Sequence, residues 1–122
     1  MKIFLVEKNE FEYDDQGYVD NDSYEPQMSF TSRDRAEEAK NKLEISQCKY
    51  YGKFSSVSEF LGNSCYVEKF LNVHFAENEA EVLVKKLYNG ILEFSDIPDG
   101  LMPKFLAAAD ISFAKIVEVE LD

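Results

Sequence analysis

Ser112-Phe113-Ala114-Lys115-Ile116-Val117-Glu118-Val119-Glu120-Leu121, near the end of the chain, is the stretch that decides the fold. Phe113, Val117, Val119 and Leu121 fall on one side of a period of two and Glu118 and Glu120 on the other, the pattern of a half-buried strand. The opposite terminus has the same character. Lys2 to Tyr13 is rich in β-formers and, after the apolar run Ile3 to Val6, alternates with Phe11 and Tyr13 two apart. Strand-forming segments at both ends, with helical patterns between them, predict a single α+β domain over residues 1–122. Its central, mostly antiparallel sheet contains the N- and C-terminal strands and packs against two to four helices.

Between these ends the punctuation is legible. Asp14-Asp15-Gln16-Gly17 supplies turn residues, Tyr18-Val19 starts a return strand that Asp20-Asn21-Asp22-Ser23 breaks, and Gln27 to Phe30 forms another short strand. Thr31 with Asp34 has capping-box spacing and opens a helix from Arg33 to about Gln47, with Ala36, Ala39 and Leu43 inward and Gly52 closing the unit. Ser55 or Ser56 caps a short helix that Gly62 stops. The β-branched and aromatic residues of Cys65 to Phe75 predict a strand. Asn78 caps a helix from Glu79 to about Tyr88, with Val82, Leu83, Val84 and Leu87 as core candidates and Asn89-Gly90 as its stop. Ile91 to Phe94 fits either a strand or a loop packed on the core. Pro103 belongs in the first turn of a helix reaching about Ala109.

With 122 residues, the chain has the size of one domain, and its ten Phe and seven Tyr suffice for a core. It lacks an apolar run of about 18 residues, and Met1-Lys2-Ile3-Phe4-Leu5-Val6-Glu7 meets a charge too early for a secretion signal. A cytoplasmic protein without membrane contact is expected. Cys48 and Cys65 match no disulfide framework and read as reduced thiols.

Chemistry-bearing constellations are absent. His74, the single histidine, lies in the expected strand, about 3.3 Å per residue from Cys65, too far for the two to form a nucleophile–base pair. Asp20-Asn21-Asp22 opens like a calcium loop, but the positions that should hold an oxygen ligand, a glycine and a glutamate hold Tyr24, Glu25 and Thr31. The five glycines are scattered, so neither phosphate-binding fingerprint exists. No catalytic residue, cofactor or metal site is expected.

Charge is the feature that remains. Thirteen Lys and Arg stand against twenty-four Asp and Glu, a formal net charge of −11. Residues 1–30 carry two basic and eight acidic side chains, and residues 62–122 five and eleven, whereas residues 31–61 are near neutral. Such a field repels nucleic acid and steers towards a basic partner. Carboxylates interleave with aromatics at Glu12, Tyr13, Asp14, Asp15, Tyr18, Asp20, Asp22 and Tyr24, the composition of an interface that combines steering with aromatic anchors.

A second candidate surface comes from Lys42-Leu43, Tyr50-Tyr51-Gly52 and the segment ending Glu59-Phe60-Leu61-Gly62. This pattern resembles the inhibitory segment of barstar-type ribonuclease inhibitors. The resemblance spans the middle third of the chain and lacks the tryptophan and additional aspartate of that family. It implies that Glu59 blocks an active site with Tyr50 and Tyr51 beside it. Together these features predict an acidic module that inhibits or neutralises a basic partner, a nuclease toxin or a nucleic-acid-binding protein, as immunity proteins, antitoxins and anti-defence inhibitors do. The alternative is an accessory or structural subunit whose acidity serves solubility alone. A small enzyme ranks last.

Overall fold

The structure is a computed structural model that describes residues 1–14, 17–60 and 64–122, with Asp14, Asn21 and Asp22 described by their main chain alone. The turn residues Asp15 and Gln16 and the expected stop at Gly62 lie outside the described residues. The chain is α+β. It divides into two compact units: Met1–Gln47 with Ser112–Asp122, and Cys48–Ile111.

The first unit is an antiparallel sheet of three strands among the described residues, in the order β2-β1-β3, with a helix on one face. Strand β1 (Lys2–Asp14) runs down the middle, paired with β2 (Gly17–Phe30) and β3 (Ala114–Glu120). The terminal strands therefore share the sheet, as the sequence pattern predicts, and are neighbours in it; Leu121 N–H donates to the Met1 carbonyl at 2.7 Å. Instead of two short strands, residues 17–30 form one. Asn9 pairs with Tyr24 and Phe11 with Asp20, so residues 21–23 stand opposite Glu10 alone, and a second shift follows between Val6 and Glu7. These bulges absorb the polar stretch that should have broken the strand, because β2 is an edge strand with no outer neighbour among the described residues to lose register with.

Helix α1 (Arg33–Gly52) covers the face that carries Phe4 and Val6. Its cap is Ser32 rather than Thr31: the Arg35 backbone N–H donates to Ser32 Oγ at 3.4 Å. Ala36 is buried with Phe4 and Val6, and Phe30, Ala39, Leu43 and Ile116 pack around them. Ile116 pairs with Val6, so Val117, opposite Leu5, and Val119, opposite Ile3, lie on the other face and are half-buried, not buried. Alternation located the two faces of β3, but its regularity did not say which one the helix takes.

The second unit is helical. The expected strand over residues 65–75 is instead α2 (Ser64–His74), followed by α3 (Glu77–Tyr88) and α4 (Met102–Ala109), with 3₁₀ turns at Val57–Glu59, Phe94–Asp96 and Asp99–Leu101. Val67, Phe70 and Leu71 are buried while Val73 is 74% exposed, which is helical spacing. Burying that stripe outweighs the weak β preference of its residues. Phe70 meets Phe105 of α4 edge-on at 5.6 Å. Helix α3 starts before Asn78, with Ala76 as its cap; Leu83 and Leu87 are buried, Val84 is half-buried, and Val82 is exposed. Gly90 takes φ 71°, and Ile91 N–H to Lys86 O with Gly90 N–H to Leu87 O closes the helix as the sequence predicts. Residues 91–93 form a loop that leads into the 3₁₀ turn at Phe94, with Leu92 and Phe94 buried, and the Leu92 carbonyl accepts from Val57 N–H at 2.8 Å.

Candidate protein interface

The β1–β2 hairpin sets the first candidate surface. Its ladder places Tyr13 opposite Tyr18, with ring centroids 5.0 Å apart in edge-on contact, and Tyr13 is 63% exposed. Phe11 lies opposite Asp20 on the same face, where Phe11 meets Phe113 at 5.3 Å. Glu12 and its partner Val19 point the opposite way, both exposed. Strand alternation therefore divides the interleaved acidic and aromatic residues between two faces, so the hairpin presents a tyrosine pair with Asp20 on one side and Glu12 with Val19 on the other. Asp15 lies outside the described residues, as do the side chains of Asp14 and Asp22.

Tyr24 has a structural position. The register shift sets it opposite Asn9, where its hydroxyl donates to Ser112 Oγ at 2.9 Å and its ring lies 4.0 Å beneath the Lys115 ammonium. It is half-buried and pinned between two parts of the sheet.

In the second unit, Tyr50 is 56% exposed at the end of α1, but Tyr51 is only 7% exposed. Tyr51 stacks edge-on with Phe60 at 5.3 Å, and Phe60 with Phe94 at 5.6 Å, so Tyr51 belongs to an aromatic core. Its burial leaves it unable to offer the open face that the resemblance implies. Glu59 is half-buried, and its Oε2 has no hydrogen-bond partner among the described residues. Phe54, exposed and 5.8 Å from the Tyr50 ring, completes an aromatic pair that sequence reasoning missed. Phe54 sits in the turn just past Gly52, and the available signal was its proximity in sequence to Tyr50, hidden because the expected helix stopped at Gln47 rather than running on to Gly52.

His74 is in the last turn of α2, its ring over Phe70 at 4.3 Å rather than in a strand. Cys48 is buried and Cys65 exposed, and neither forms a disulfide. Among the described residues no three His, Cys, Asp or Glu side chains converge to hold a metal ion, and no helix is long and apolar enough to cross a membrane.

No family model matches the chain, and neither a curated protein nor a solved structure matches it. The resemblance of residues 42–62 to barstar-type inhibitors thus rests on those residues alone.

Proposed function

We propose that this chain is an acidic protein-binding module that neutralises a basic partner, a nuclease or other nucleic-acid-binding protein, by covering its anion-binding surface. The observation that carries the reading is the Tyr13–Tyr18 pair, Tyr13 exposed and Tyr18 half-buried, on a long hairpin of a chain with net charge −11. Paired tyrosines offer rigid contact area at low entropy cost, and the surrounding carboxylates raise the encounter rate with a cation-rich surface. The partner's own phosphate-binding groups are the cations such a surface engages, so nucleic acid and this protein compete for them. The reading assigns no catalytic residue and no cofactor.

Affinity capture from the source cell with the wild-type chain and a Tyr13→Ala, Tyr18→Ala double variant tests it. The expected result is a basic protein retained by the wild type, lost from the double variant and displaced by nucleic acid. Capture that ignores the double substitution removes the hairpin from the interface. A second reading, an accessory subunit, is favoured by the half-buried Ile3, Leu5, Val117 and Val119 on the sheet face opposite α1. It predicts a partner lost on Val117→Lys but kept by the tyrosine variant.

A further inference from the structure

A groove of about 490 Å³ lies in the first unit between the edge strand β2 and helix α1, lined by Met28, Phe30, Ala39 and Leu43 with Arg35, Glu38 and Lys42 along its rim. Three features meet there. The floor is apolar and open, since Met28 and Phe30 share the face that α1 covers and Met28 remains exposed. The adjoining strand is an edge: β2 pairs with β1 alone among the described residues. Pro26, which has no N–H to donate, closes that edge at one end and leaves Gln27 to Phe30 as the stretch able to accept a new strand. Arg35 is exposed and forms no ion pair among the described residues, whereas Lys42 is held by Glu38 at 3.3 Å. In so acidic a chain, an unneutralised guanidinium at the mouth of an apolar groove is a carboxylate receptor.

We infer that this groove binds an extended peptide segment by strand addition to residues 27–30. The peptide sets alternate apolar side chains between Met28, Phe30, Ala39 and Leu43 and places a carboxylate on Arg35. Main-chain hydrogen bonds along the edge supply affinity, the apolar floor selects side chains two apart, and the guanidinium fixes direction. The groove is separate from the tyrosine pair of the hairpin and needs no basic partner.

The test is a selection from a library of random heptapeptides against the intact chain, followed by titrations monitored by backbone amide resonances. Enriched peptides are expected to alternate apolar residues and to carry a carboxylate, and to shift the amides of residues 27–30. N-methylation of alternate peptide amides should weaken them about tenfold or more, because it removes the ladder donors. Arg35→Gln should weaken the acidic peptide about tenfold yet leave its amide counterpart unchanged. No enrichment overturns the inference, as does binding indifferent to both N-methylation and Arg35→Gln. Self-association of the wild type through the same strand, measured by sedimentation, overturns it in favour of a second copy.

Discussion

Asn9 is fully buried in the middle strand, and its Nδ2 donates to the Ser112 carbonyl at 2.7 Å while its backbone N–H donates to the Phe113 carbonyl at 2.8 Å. One residue thus ties β1 to the approach of β3. Asn9→Asp replaces that donor by an acceptor facing a carbonyl in a buried site, and should cost about 2–4 kcal/mol in chemical denaturation. Glu44 supplies the opposite case. Burial raises its carboxyl above the ordinary value, although the Lys40 ammonium 3.2 Å away pulls it down. A carboxyl raised on folding binds its proton more tightly in the folded chain, so stability falls as pH rises through the interval from the unfolded to the folded value. Glu44→Gln removes that loss. The variant should melt higher than the wild type at pH 7, by roughly 1 kcal/mol or less, with the difference closing below about pH 4.5, where both forms are neutral.

At the scale of elements, the strands at the two ends, the hairpin and three of the four α-helices among the described residues were legible because their apolar spacing and turn residues agree with the final fold, although α1 and α3 take caps other than Thr31 and Asn78. Helix α2 was not. Val67, Phe70, Leu71, Val73 and Phe75 are strand-formers by preference, and only the tertiary burial of 67, 70 and 71 fixes the helical period. The difference is testable by substitution. Val67→Asp should cost about 3 kcal/mol or more, as a buried unpaired charge does, whereas Val73→Asp, further along α2 on its exposed side, should stay within about 0.5 kcal/mol. A strand would bury or expose both together. The same reasoning puts the expected cost of Val119→Asp at about 1 kcal/mol, because Val119 is half-buried on the face without the helix. The candidate interface was legible as composition and not as geometry. Tyr13 and Tyr18 meet as cross-strand partners, but Tyr24 is drawn into the sheet by a bulge that no local pattern announces, and Tyr51 is buried by aromatics from later in the chain.

At the scale of the whole molecule, net charge −11 acts on encounter and the tyrosine pair on persistence, which separates two kinds of variant. Replacing Asp14, Asp15, Asp20 and Asp22 by Asn lowers the charge that a basic partner meets at a distance. With the partner recovered by affinity capture, the four-Asn variant should associate about threefold to tenfold more slowly at low salt. That difference should shrink as the Debye length falls to about 8 Å at physiological ionic strength. Dissociation should hardly change. Tyr13→Ala or Tyr18→Ala should do the reverse, leaving association near wild type and speeding dissociation about tenfold or more, since packed aromatic contacts act only once the surfaces have met. Surface plasmon resonance at two salt concentrations distinguishes these signatures. Wild-type association in the four-Asn variant would show that the charge of this hairpin does not steer, and attention would pass to exposed Tyr50 and Phe54 at the end of α1.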